Sequence, residues 1–254
     1  MAIKLGSSDI SKLYLGSTEV TKAYLGSDVV YAPSAGGGWV TTDLVQYIDP
    51  FASIIGGGTV SDLSGNGNDA TINGSMSTDA SGWVLGSGKY LTGMASTDLS
   101  GDYSIEIWFN ADTLAGGTQP GLIYVYGGGG RPSTGIAVDG TSGLYSQTRS
   151  TSGGVTFQLR WAGTLNDSAW HHFVVTRISG TTYFYRDKVL ADSTATTAGN
   201  LTSSNVWKIG GPIGTFLRYW TSSDRLGLFR IYEKGLDTSE ITQNYDANKA
   251  DYGL

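Results

Sequence analysis

Cysteine is absent from this 254-residue chain, which removes disulfide staples, thiolate metal sites and cysteine nucleophiles together. Histidine occurs only as the adjacent pair His171 and His172. Neighbours on a strand point to opposite faces, so the pair cannot share one metal or form one relay. One is expected packed and hydrogen-bonded, the other near solvent. Charged residues make up 15% of the chain, against ~25% in ordinary globular domains. The balance is acidic, a net −6, so the basic footprint of a nucleic-acid binder is missing. No apolar run approaches the ~20 residues of a membrane span. The first residues, Met1 to Gly6, carry no apolar export core. A product folded in the cytoplasm without a signal peptide, and released later, fits these absences.

What the chain does have is glycine, 38 residues of it, with serine and threonine throughout and 11% aromatics. Turns therefore punctuate the chain, and short strands are its expected currency. Trp170 to Asp187 reads as two strands joined at Ser179-Gly180, with Val174, Val175, Ile178, Tyr183, Phe184 and Tyr185 suited to a pleated setting. Phe173 and Val175 share one strand face, and Val174 takes the other. Tyr103 to Phe109 alternates, with Ile105, Ile107 and Phe109 on one face and Ser104, Glu106 and Trp108 on the other. Strands are also expected at 44–49, 122–126, 135–139, 155–161, 206–210 and 226–232. The one helix is expected at the end, where Asp237 and Glu240 form a capping box and Ile241 and Tyr245 share a face.

The order Trp-His-His, apolar strand, small turn, Tyr-x-Tyr-x-Asp resembles the central hairpin of laminin-G-like, concanavalin A-like jelly rolls. Flanking it are Asp62-Leu63-Ser64-Gly65-Asn66-Gly67-Asn68, the strand ending Trp108-Phe109, and Leu228 to Leu236 before the helix. These are similar to further landmarks of that family in the same order. The resemblance covers about residues 39–250 and implies an all-β jelly-roll sandwich over 39–254.

Residues 1–32 repeat with a period of ten: Leu5-Gly6-Ser7, Leu15-Gly16-Ser17 and Leu25-Gly26-Ser27 are identical, and Lys12 and Tyr14 recur as Lys22 and Tyr24. Each unit reads as a strand of about six residues closed by Gly-Ser. Both faces carry apolar side chains, so the strands either pack on their own sandwich or are covered by another chain. Tandem Lys-x-Tyr-Leu-Gly-Ser units resemble the N-termini of tailed-phage virion proteins, which implies a docking arm using Tyr14, Leu15, Tyr24 and Leu25. Residues 33–38, Pro-Ser-Ala-Gly-Gly-Gly, read as the linker.

Four constellations invite chemistry. Asp62, Asn66, Asn68 and Asp69 offer the hard oxygens Ca²⁺ needs, and some members of the family hold structural calcium near such a loop. The closing strand has Gly227 and Leu228 where that family often has acids, and the same residue types also make simple Asx-turns. A glycosidase needs two flanking carboxylates. Glutamate occurs only at 19, 106, 233 and 240, and no second acid stands two residues from Glu106. Gly127 to Gly130 lacks the Lys-Ser/Thr and helix of a phosphate loop. Finally, a lectin site would use exposed aromatics beside polar side chains. Trp220, Tyr219, Arg218 and Trp161 are the candidates, against the alternative that they fill the core. The resulting expectation is a non-enzymatic phage virion protein, a capsid decoration or head-fibre protein, made as a homotrimer that docks to other virion proteins through residues 1–32 and binds cell-surface glycans. A tail fibre or baseplate adhesin, or a carbohydrate-binding module or bacterial adhesin not of phage origin, are the alternatives. No membrane insertion is expected.

Overall fold

The computed structural model describes residues 38–93, 101–112, 121–126, 132–139, 143–149, 155–161, 163, 167–195, 206–210 and 220–254, with short strands between residues 4 and 31. Among these residues two antiparallel sheets face each other. The first is built on β1 (Leu44–Ile48), β2 (Tyr103–Asn110), β4 (Trp170–Ile178), β5 (Thr181–Arg186), β6 (Val189–Ala195) and β7 (Arg225–Tyr232). Its order runs from the small strands Ser77–Asp79 and Gly82–Val84 through β7, β2, β4 and β5 to β6, with β1 also on β7. The second sheet begins at its edge with β3 (Val155–Trp161) and runs through Gly143–Arg149, Pro132–Asp139, Gly121–Tyr126 and Val206–Ile209 to Tyr90–Thr92, Ala70–Asn73, Thr59–Val60 and Ile55–Gly56. An all-β sandwich with a C-terminal helix, α1 (Thr238–Asn248), is the result.

The alternation of β2 decides the layering. Ile105, Ile107 and Phe109 enter the core between the sheets with Phe173, Val175 and Phe184. The other face of β2 carries Ser104, Glu106 and Trp108, and it too is closed to solvent. Val174, Tyr185, Leu228 and Tyr232 lie in a second apolar cluster on that outer side, beneath Ile241 of α1 and Val40 and Leu44 of the entering chain. The first sheet is thus covered on both faces.

Turn chemistry sets the registers. β4 and β5 pair Val175 with Phe184 and Ile178 with Thr181 around Ser179 and Gly180, at φ 48° and 83°. β5 and β6 meet through Asp187 and Lys188, at φ 49° and 70°. Two consecutive positive-φ residues match the twist of the flanking strands and fix each hairpin without slack. The Asp237 carboxylate accepts from the N–H groups of Ser239 and Glu240, and the Glu240 side chain returns to the Asp237 N–H, the capping box expected from the sequence.

The repeats differ from the six-residue strands expected. Lys4–Leu5 pairs with Ser8–Asp9, Leu13–Leu15 with Thr18–Val20, and Ala23–Leu25 with Asp28–Tyr31. Each ten-residue unit is its own hairpin, because a Gly-Ser pair sits between its two short strands rather than after one long one. The side chains of Tyr14, Leu15, Tyr24 and Leu25, and residues 33–37 of the linker, lie outside the described part.

Burial on both faces has a measurable consequence. Phe173→Ala should cost about 3–5 kcal/mol, and Val174→Ala on the opposite face about 2 kcal/mol, in urea unfolding. A Val174→Ala variant as stable as the parent would show that α1 does not seal the outer face.

Candidate functional site

At one side of the sandwich the last residue of β3 and the hairpin between β5 and β6 enclose a groove of about 380 Å³. Trp161, Arg186, Asp187, Val189, Leu190 and Ala191 line it. Alternation places Arg186 on the same strand face as Phe184, at the point where the core ends. Its guanidinium carbon lies 4.0 Å from the centre of the Trp161 ring. Its Nη2 lies 3.0 and 2.8 Å from the two ring nitrogens of His171, a position that only a group over the imidazole face can take. Arg186 is therefore held between indole and imidazole, a cation over aromatic faces.

Two carboxylates bracket the histidine. His171 Nδ1 is 2.8 Å from Asp187 Oδ2, and Nε2 is 3.2 Å from Asp167 Oδ2. Asp187 Oδ1 also accepts from the His172 N–H at 2.9 Å, which anchors the hairpin turn. Burial pushes both carboxyls up, but hydrogen bonds outweigh it and hold them below the ordinary range. For Asp167 these come from the Ala169 N–H and His171, and for Asp187 from His171 and the His172 N–H, with the nearby Arg186 charge adding to both. A Cβ at Gly163 would overlap the Trp161 indole, so that glycine lets the ring lie flat against the chain. Asp192 Oδ2 accepts from the Arg160 N–H at 3.0 Å and joins the edge of one sheet to that of the other.

The second histidine belongs to a different assembly. His172 Nε2 and Arg230 Nη1 each lie 3.0 Å from Glu106 Oε1, and Asn244 Nδ2 donates to Oε2 at 2.6 Å. Arg230 Nη2 donates to Asn248 Oδ1 at 2.9 Å. The rings of Trp39 and Tyr47 flank its guanidinium at 4.6 and 4.4 Å. Glu106, His172 and Arg230 are fully buried, so no substrate reaches them and the cluster is structural. Burial pushes the Glu106 carboxyl up, but the Arg230 charge and the bond from His172 outweigh it, and the net direction is down.

Residues 85–242 match the family described as the concanavalin A-like lectin/glucanases superfamily, of the laminin G type. The chain belongs to this superfamily. Among solved structures it is similar to the binding domain of Paraclostridial Mosquitocidal Protein 1, with TM-score 0.61 and 14% identity over 83% of this chain and 53% of that one. The binding domain of botulinum neurotoxin DC in complex with SialylT gives 0.60 and 13% over 82% and 52%. Trypanosoma rangeli sialidase in complex with sialic acid gives 0.64 and 14% over 91% and 36%. This concanavalin A-like chain thus spans about half the length of the toxin binding domains and about a third of the sialidase. Identities so low establish the shared fold alone. No curated protein matches the chain.

The residues read from the sequence are scattered. Trp161 lies in the groove. Trp220, expected at the surface, is a correction: it is 4% exposed and packs 4.9 Å from Phe109. The Asp224 carboxylate explains this, accepting from the N–H groups of Thr221 at 2.8 Å and Asp112 at 3.1 Å and so folding that turn back onto the core. Arg218 and Tyr219 lie outside the described residues. His171, Arg186, Asp187, Asp167 and Val189 were not singled out as a site. The available signal was Arg186, a charge on the core-facing side of a strand that otherwise reads as interior.

Asp62, the central carboxylate of the expected calcium set, is already engaged by donors of the protein itself. Asp62 Oδ1 accepts from the N–H groups of Tyr47 and Ser64, both at 2.9 Å, while Oδ2 accepts from Ser64 Oγ at 2.6 Å and the Asn68 N–H at 3.0 Å. A carboxylate has about four lone-pair positions, and all are taken. Asp69 Oδ1 accepts from the Asp62 N–H at 2.9 Å, and the amides of Asn66 and Asn68 donate to the Leu44 and Val45 carbonyls at 2.8 and 2.7 Å. The loop is an Asx-turn at Asp62 followed by a serine turn at Ser64, stapled to β1 by the two asparagine amides. On the closing strand, any side chain at Gly227 would overlap the Tyr252 hydroxyl and Trp108.

Two measurements test these assignments. Melting temperature should be the same in EDTA and in millimolar calcium; a calcium-dependent rise that Asp62→Ala removes would restore the metal. Glu106→Gln should cost about 3–5 kcal/mol by leaving Arg230 uncompensated. Because the folded carboxyl is depressed, its contribution is complete above the unfolded value of about 4.3 and is lost as pH falls through the lower folded value. The variant should therefore show a flatter acid limb in stability against pH, and an unchanged limb would remove Glu106 from that role.

Proposed function

We propose that this chain is a non-enzymatic, glycan-binding virion protein, its sandwich facing outward and its N-terminal repeats docking to the particle. The observation that carries the glycan reading is the groove beside Trp161. An indole, a guanidinium, a carboxylate and an aliphatic wall converge there on rigid strand ends of a lectin-like sandwich. Similar folds in the botulinum neurotoxin DC binding domain and the trypanosomal sialidase are seen with SialylT and sialic acid, which supports a saccharide as the ligand class.

Electrostatics supports a binding role over hydrolysis. A glycosidase needs one carboxyl raised so that it can protonate a leaving group. Asp167 is instead held low by the Ala169 N–H and His171, Asp187 by His171 and the His172 N–H, and Glu106 is sealed beneath α1. The virion assignment rests on the three ten-residue repeats and their likeness to phage virion arms. Within it, a capsid decoration or head-fibre protein assembling as a homotrimer is preferred, with a tail fibre or baseplate adhesin as the nearest alternative and a free carbohydrate-binding module or bacterial adhesin beyond that.

Trp161→Ala should weaken glycan-array binding at least about tenfold, some 1.4 kcal/mol, with hydrolysis absent for parent and variant alike. Retained binding would place the site elsewhere; released sugar would make the protein an enzyme. Deleting residues 1–37 should leave a folded sandwich that no longer joins particles or oligomerises, as read by particle incorporation and light scattering. The deletion stops before Trp39 because that ring packs on Arg230. Normal incorporation of the truncated chain would end the docking role of the arm.

A further inference from the structure

The groove contains a feature that a general sugar site does not require. Val189 is 68% exposed and Leu190 48%, an aliphatic pair on a rigid two-residue hairpin that contributes neither to the inter-sheet core nor to the cluster beneath α1. Val189 is the direct cross-strand partner of Arg186, so its side chain stands on the same face, beside the guanidinium. Arg186 Nε in turn lies 3.3 Å from Asp187 Oδ2. A donor-only group, an acceptor-only group and an aliphatic surface therefore adjoin one another at a fixed spacing.

That order matches one common saccharide substituent. An acetamido group carries a carbonyl oxygen that accepts, an N–H that donates and a methyl that prefers to leave water. A plain hydroxyl offers a donor and an acceptor but leaves the valine wet. The Trp161 face nearest Arg186 is already covered by the guanidinium at 4.0 Å, so stacking of a sugar ring on that face is closed off. Selectivity falls instead to the substituent that meets Arg186, Asp187 and Val189.

We propose that the groove selects acetamido sugars, the carbonyl accepting from Arg186, the N–H donating to Asp187 and the methyl resting on Val189. This rests on the glycan-binding reading of the groove and narrows it to a ligand class. Arg186 and Asp187 are held in place by His171 and the hairpin turn before any ligand arrives, so the site is pre-ordered.

The test is saturation-transfer NMR and calorimetry on the full chain with N-acetylglucosamine, N-acetylgalactosamine and N-acetylneuraminic acid, against glucose, galactose and glucosamine. The acetamido sugars should bind at least about tenfold more tightly than their hydroxyl and amino counterparts, with the strongest transfer at the acetamido methyl. Val189→Ser should lower acetamido-sugar affinity about fourfold, the factor expected for one buried methyl, and leave the melting temperature unchanged. Arg186→Lys, which keeps the charge over the indole, should also weaken the acetamido sugars. Equal binding of glucose and N-acetylglucosamine, both lost in Trp161→Ala, would overturn the selectivity while leaving the glycan reading intact. Binding of N-acetylneuraminic acid alone would show that a carboxylate is read and would also overturn it. Acetamido binding indifferent to both Val189→Ser and Arg186→Lys would place recognition elsewhere. Absence of binding to every saccharide would end both readings together.

Discussion

The contact between Glu106 and Arg230 is the constraint around which the molecule is arranged. Two unlike charges with no access to water are tolerable only if most of their remaining hydrogen-bonding positions are filled, and here Arg230 Nε alone of the guanidinium nitrogens has no partner among the described residues. His172 and Asn244 complete the carboxylate, and Asn248 and the flanking rings of Trp39 and Tyr47 enclose the guanidinium. These partners come from β4, from α1, from β1 and from the chain leading into it. The pair thus dictates that the helix and the entering segment lie over the outer face of the first sheet. Trp108 follows from the same arrangement, stacked on Tyr252 at 4.3 Å with Tyr245 at 5.3 Å.

The groove depends on this indirectly. With both faces of the first sheet covered, its side chains reach solvent chiefly at strand ends and at the edge strand β6, which is where Arg186 and Val189 stand. The edge strands β3 and β6 approach there, and Asp192 ties them by accepting from the Arg160 N–H. An inward-turned carboxylate on an edge strand also discourages pairing with another sheet. Binding groups are consequently set by strand register and a tight turn rather than by a long loop, with few degrees of freedom left to lose when a ligand arrives.

Much of the fold was legible because its signals are local. Alternation in Tyr103 to Phe109, the Ser179-Gly180 turn and the Asp237–Glu240 capping box each depend on residues within a few positions of one another. The destination of the second face of β2 was not legible in that way. Whether Glu106 meets water or Arg230 is decided by a residue 124 positions away. Trp220 was misplaced for a similar reason, since its turn is drawn inward by a carboxylate bonded to the distant Asp112 N–H. The Asp62 loop was half legible. Its residue types suit both a cation and Asx-turns, and only the positions of the Tyr47, Ser64 and Asn68 donors separate the two. Arg186 carries a sequence signal of its own, but it follows the Tyr183-Phe184-Tyr185 run, whose pattern is that of a packed strand.

The route of the buried ion pair through the chain also fixes an order of events during synthesis. Glu106 emerges from the ribosome long before Arg230, and Asn244 and Asn248 come later still. Until then the central strands β2 and β4 carry an uncompensated carboxylate and an open apolar face, the kind of surface that chaperones hold and neighbouring nascent chains join. Final closure of the sandwich therefore waits until α1 has been made and docks. The same wait leaves the earlier strands open to proteolysis until that helix is in place, a cost that a shorter-range pairing would have avoided.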